Sequence, residues 1–95
     1  MAYGIAQTIR EQIENTDKFA LWAWGAKDFV YADNGLKFKT SGGVKFKGHV
    51  FIRLTGNDTY EVTTYRIRGV KVTYVHEFRD IYVENLVSVI KNIVE

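Results

Sequence analysis

Between Phe46 and Phe78 the side chains alternate in character with a period of two. Val50, Ile52 and Leu54 are interleaved with His49, Phe51 and Arg53. After Gly56-Asn57-Asp58, a second run from Tyr60 to Ile67 is rich in β-branched and aromatic residues. After Arg68-Gly69, a third run sets Val70, Val72, Tyr74, His76 and Phe78 against Lys71, Thr73, Val75 and Glu77. Neighbouring side chains of a strand point to opposite faces, so this alternation separates a buried face from a wet one. The short turn signals between the runs make them antiparallel, because parallel strands need a long crossover. In the second run Tyr60 and Val62 share one side while Tyr65 and Ile67 take the other, which predicts a bulge near Thr63-Thr64.

The flanking segments read as cover for one side of this sheet. Ile5, Ile9 and Ile13, with Ala6 beside them, predict a helix from Tyr3 to Asn15, stopped by Asn15-Thr16-Asp17. Val83, Leu86, Val87, Ile90, Ile93 and Val94 predict a second helix over Ile81 to Val94, with Asp80 as its N-cap. Phe19 to Trp24 reads as a strand that places Trp22 and Trp24 on one side. Phe29 to Tyr31 and Leu36 to Lys39 flank Asp33-Asn34-Gly35, a hairpin signal, since Asn and Gly tolerate the positive φ of tight turns. Ser41-Gly42-Gly43 then turns the chain into a strand running from Val44 to Leu54. The expected fold is α+β, two-layered, with an antiparallel meander sheet of five or six strands and both helices packed on one face. Residues 1–95 form a single domain with one modest core.

Composition excludes several functions. There is no cysteine, hence no disulfide framework, thiolate metal site or Cys nucleophile, and a reducing, cytoplasmic setting is expected. Proline is absent too, which excludes a Pro-rich ligand role. Arg10, Glu11 and Glu14 interrupt the early apolar positions, so no secretory signal is read there. The apolar run Phe19 to Trp24 is far too short to span a bilayer, and no membrane association is expected. The net charge of +2 is unevenly placed: residues 18–54 hold seven Lys or Arg against Asp28 and Asp33, while both ends are mildly acidic.

That asymmetry singles out the outer sheet face. If the even-numbered apolar residues of the strand from Val44 to Leu54 turn inward, Lys45, Lys47, His49, Phe51 and Arg53 project outward together, joined by Lys37 and Lys39 of the preceding hairpin. Cations interleaved with a ring suit single-stranded nucleic acid, where phosphates meet charge and bases stack. The same lysines also suit a sheet that only needs to stay soluble and avoid edge pairing, and Glu61 and Glu77 weaken the field. Arg66, Arg68 and Lys71 around Gly69 make a basic turn able to meet an anion or an acidic protein surface. Trp22 and Trp24 are either core or an aromatic anchor for a partner.

Catalysis has little to stand on. His49 and His76 fall on opposite sides of the sheet by strand parity, so they share neither a metal nor a proton. Asp28, Asp33 and Asp58 sit at turns, where local hydrogen bonding accounts for them. Gly42-Gly43 lacks the spacing of a phosphate loop. No enzymatic activity, metal or cofactor is expected.

The chain also resembles a group of small proteins of unassigned role encoded by bacteriophages, prophages and related mobile elements. The matching residues are Ile5-Ala6-Gln7-Thr8-Ile9 with Gln12, Gly25-Ala26-Lys27 with Phe29-Val30, and Asn34, Leu36, Phe38 and Lys39. They continue through Leu54-Thr55-Gly56 with Asp58, Tyr60 and Val62, then Arg66-Ile67-Arg68-Gly69, Lys71 and Thr73, and end at Tyr82 and Leu86. Around Trp22 and Trp24 the chain departs from that group. The resemblance implies an accessory protein that binds a host or phage macromolecule without catalysis, as anti-CRISPR inhibitors of host defence do. Many of those mimic DNA with acidic surfaces; this chain is mildly basic, which disfavours that mechanism. A protein partner is therefore expected first and nucleic acid second, with a homo-oligomer also compatible with the exposed strands.

Overall fold

The structure, a computed structural model, describes residues 4–42 and 45–95. Eight elements follow in order: α1 (Gly4–Thr16), α2 (Ala20–Ala23), β1 (Lys27–Ala32), β2 (Gly35–Thr40), β3 (Gly48–Leu54), β4 (Tyr60–Arg68), β5 (Lys71–Ile81) and α3 (Val83–Val94). The strands form one five-stranded antiparallel sheet in the order β1-β2-β3-β4-β5, each paired with its neighbours in sequence. This is the expected α+β meander with an N-terminal and a C-terminal helix on one face. Every connection is local, so no crossover cost opposes the order.

Leu36, Phe38, Val50, Ile52 and Val62 make the inner face of β2, β3 and β4 and are buried beneath the helices. Ala6, Ile9 and Ile13 supply the apolar stripe of α1, and Leu86, Val87, Ile90, Ile93 and Val94 that of α3. Each Val, Leu, Ile or Phe side chain among these, fully buried, contributes roughly 1.5–3 kcal/mol of transfer free energy. Polar contacts fix how α1 lies on the sheet. The Arg10 guanidinium donates to the Tyr31 hydroxyl at 2.9 Å and sits 4.3 Å above the Phe29 ring, while the Tyr60 hydroxyl donates to Gln12 Oε1 at 2.6 Å. Lys91 of α3 pairs with Asp17 at 3.0 Å, joining the two helical segments.

Four details differ from the expectations above. The predicted strand Phe19 to Trp24 is instead the single helical turn of α2 with the residue on either side of it. Asp17 Oδ1 accepts the Phe19 N–H at 3.0 Å and starts that turn. Residues two positions apart on a helix lie about 200° apart around its axis, so Trp22 is 82 % exposed while Trp24 is fully buried. Trp24 stacks parallel to Phe38 with centroids 6.4 Å apart, and its indole N–H donates to the Glu95 carboxylate at 2.8 Å.

β3 begins at Gly48, later than expected; Val44 and Gly43 lie outside the described residues. The buried Thr40 hydroxyl lies 3.3 Å from the Phe46 carbonyl and 3.3 Å from the Gly48 N–H, holding a loop where ladder bonds would otherwise run. The Lys45 N–H donates to the Val94 carbonyl at 2.9 Å, pulling this loop toward α3.

The bulge near Thr64 is real, but its extra residue is on the partner strand. β3 and β4 pair without interruption from Leu54↔Tyr60 to His49↔Tyr65. On the other side Thr64 pairs with His76 and Tyr65 with Tyr74, leaving Val75 unmatched. Val72 and Tyr74 are thereby turned to the outer face, away from His76 and Phe78. A second shift leaves two residues of β5, Arg79 and Asp80, opposite Glu61, and Asp80 takes a positive φ of 56°. Asp80 is thus part of a bulge and not the N-cap; that position is Tyr82, which makes no side-chain capping bond.

Candidate functional site

Among the described residues no helix lies over the outer face of the sheet, because α1 and α3 both spend their apolar stripes on the inner one. The register builds this face row by row. Lys37 stands beside Phe51, which stands beside Thr63 and then Glu77; Lys39 stands beside His49, then Tyr65 and Tyr74. Arg53 stands beside Glu61, with which it forms an ion pair. A trough of about 600 Å³ runs across β2 to β5 on this face. Phe51, Thr63, Tyr65 and Tyr74 line it together with Lys37, Arg53, Glu61, Glu77 and Arg79.

The aromatic groups are arranged as a short ladder. His49 stacks on Tyr65 with centroids 5.0 Å apart and planes within 6°, and Tyr65 meets Tyr74 at 5.9 Å. The Lys37 ammonium lies 5.0 Å from the Phe51 ring, a cation–π arrangement. Packing against its neighbours removes water from the His49 imidazole, and the Lys39 charge adds to this. Both hold its pKa below the usual histidine value, against a smaller opposing pull from Asp28. The same loss of hydration raises the Tyr65 phenol, so this hydroxyl stays protonated at neutral pH.

Charge on the trough is mixed. Arg53 is paired with Glu61, and Arg79 lies 3.4 Å from Glu77. Lys37 is the one lining cation drawn into neither of these pairs. The face can therefore offer rings, a cation over a ring, and two exchangeable ion pairs to an incoming surface.

Of the residues singled out in the sequence, Lys37, Lys39, His49, Phe51 and Arg53 come together on this face. Lys45 and Lys47 do not. They precede β3 in the loop that bends toward α3, so strand parity never applies to them. Arg66 lies on the reverse side, its guanidinium 4.9 Å from the Phe46 ring and its Nε–H donating to the Lys47 carbonyl at 3.4 Å. Arg68 and Lys71 face each other at the exposed end of the β4–β5 hairpin, where Gly69 supplies the positive φ of the turn. Trp22 is exposed on α2, which packs against α1, away from the outer face; Trp24 is core. In the sequence Tyr74 is hidden by its parity with His76. The outward phase of Tyr65, its cross-strand neighbour, was the available signal.

His49 and His76 lie on opposite faces: His76 meets the buried Thr64 hydroxyl at 2.8 Å and the Phe46 ring edge-on. Among the described residues no three His, Cys, Asp or Glu side chains converge as a metal site would require, and no helix is long and apolar enough to cross a membrane. Comparison with protein-family models, curated proteins and solved structures finds no match.

Proposed function

We propose that this chain is a non-catalytic binding module that docks a protein partner on the open face of its sheet. In this reading it is a phage-type accessory protein working in the cytoplasm of a host cell, and its partner is a host protein, such as a defence component, that it inhibits. What supports the reading is the trough itself: aromatic side chains on an uncovered sheet, ringed by ion pairs. Interfaces concentrate their energy in a few desolvated aromatic and arginine anchors inside a polar rim, and Phe51, Tyr65 and Tyr74 within Arg53, Glu61, Glu77 and Arg79 have that composition. A sheet of this kind needs no cleft to act and no titrating group.

A photo-crosslinker at residue 74, compared with one at Glu11 on the exposed side of α1, tests this in bacterial lysate. Capture of the same protein from position 74 only, lost when Phe51→Ala is added, is the expected result. Equal capture from both positions, or none from position 74, contradicts it.

A second reading has one observation in its favour: Lys37 and Lys39 flank the His49–Tyr65 stack, and rings beside cations bind single-stranded nucleic acid. The pairing of Arg53 and Arg79 with carboxylates counts against it. Fluorescence anisotropy with a labelled single-stranded oligonucleotide separates the two readings. Nucleic-acid binding requires affinity that falls steeply with salt and is abolished by Lys37→Glu with Lys39→Glu. The protein reading predicts no such binding.

A further inference from the structure

We infer that β5 is also a self-association edge, pairing antiparallel with β5 of a second copy about a two-fold axis through Phe78. The inference is independent of which partner the open face takes. β5 ends the sheet, so one of its edges carries unpaired backbone N–H and C=O groups. Of its 11 residues only Ile81 is buried. Most of its edge is unsuited to pairing, because bulges at Val75 and at Asp80 disturb the backbone. Between them, His76, Glu77 and Phe78 keep a regular register against Thr64, Thr63 and Val62. Arg79 opens the second bulge, so another strand can be accepted only over the short stretch centred on Phe78, with Glu77 and Arg79 on either side.

Its side chains are self-complementary. Glu77 and Arg79 flank Phe78 on the outer face, and Phe78, 42 % exposed, points to the reverse one. Antiparallel pairing about Phe78 sets Glu77 opposite Arg79 of the second copy and Arg79 opposite its Glu77, with the two phenyl rings meeting behind. Moving the axis to Glu77 sets two carboxylates face to face, and moving it to Arg79 sets two guanidiniums face to face. Half-residue shifts oppose inner with outer side chains and fail on the pleat. Within one chain the Glu77–Arg79 contact is 3.4 Å with both side chains more than half exposed, a weak pair that exchanges at little cost. Because both residues line the trough, the pairing would join two troughs across the axis into one groove on a continuous sheet.

Sedimentation velocity of the full chain, from low micromolar to submillimolar concentration at low salt, tests this. The expected result is a reversible species of twice the 11.0 kDa protomer mass. Glu77→Arg or Arg79→Glu alone should weaken it about tenfold or more, since each puts like charges opposite at two symmetric places. The double variant Glu77→Arg with Arg79→Glu should restore it. Because the chain has no cysteine, Phe78→Cys gives a second readout that needs no charge change. It should oxidise to a symmetric disulfide dimer much faster than Val70→Cys at the hairpin tip, as directly opposed Cβ atoms lie within disulfide reach. A strict monomer at the highest concentration overturns the inference, whether or not a strand of some other protein fills the edge. So do single variants that dimerise like the parent, a folded double variant that stays monomeric, and oxidation rates that do not differ.

Discussion

Val50, Ile52 and Val62 in the middle of the sheet are wholly buried, whereas Val72, Tyr74 and Phe78 in β5 are exposed, although all six belong to runs of the same alternating pattern. The difference lies in what stands opposite. The first three face α1 and α3, whose combined stripes cover the inner side of β2 to β4. Of the last three, the bulge at Val75 puts Val72 and Tyr74 on the uncovered outer face, and Phe78 lies on the reverse face of the edge strand. Alternation therefore says which residues share a face; cover from another layer decides whether that face is dry. The covered half holds the buried core, and the other half leaves its side chains in contact with water.

The two tryptophans make the largest break in that comparison. Trp24→Ala removes a fully buried indole, its stacking on Phe38 and its bond to Glu95, and is expected to cost about 3–5 kcal/mol in chemical denaturation. Trp22→Ala, two residues earlier, should stay within about 0.5 kcal/mol of the parent. Similar losses from both would mean that α2 is not the helical turn described.

Thr64 marks the border between the halves. Its buried hydroxyl holds His76 at 2.8 Å, one residue before the bulge. Thr64→Val should cost about 1 kcal/mol by leaving that imidazole nitrogen unpaired. It should also speed amide exchange in the hairpin from Tyr65 to Tyr74 more than in β2 or β3. Uniform acceleration across the sheet would show that the hairpin has no independence.

The smallest effect sharpens the outer face. His49 should titrate by NMR below the value of about 6.5 expected for a free imidazole, and Lys39→Gln should move it upward by removing the neighbouring charge. An imidazole whose folded pKa is depressed binds its proton more readily when unfolded. Its contribution to stability is complete above about pH 6.5 and is lost as pH falls through the folded value. An unshifted His49 would mean that it does not pack on Tyr65.

Much of this was legible in the residues. The strand pairs around Asn34-Gly35, Gly56-Asn57 and Gly69 follow from turn chemistry, and both long helices follow from isoleucine, leucine and valine spacing. What was not legible depends on competition between local and distant bonds. Phe19 to Trp24 alternates like a strand, yet Asp17 takes the Phe19 N–H and the segment closes into one helical turn that sends one indole outward and the other into the core. Lys45 and Lys47 alternate like strand residues, yet the Thr40 hydroxyl and the Val94 carbonyl claim that backbone first. The ladder of His49, Tyr65 and Tyr74 was half visible, since a bulge on β5 moves Tyr74 into it and nothing local to Tyr74 announces the bulge.

The central claim, that the outer face is bare while the inner one is sealed, is tested most directly by hydroxyl-radical footprinting of the dilute chain, read residue by residue. Tyr74 should be oxidised rapidly and the half-buried Phe51 and Tyr65 more slowly, whereas Phe38, Phe46, Tyr60 and Trp24 should be protected until the chain unfolds. Protection of Phe51 and Tyr74 equal to that of Phe38 would contradict the account.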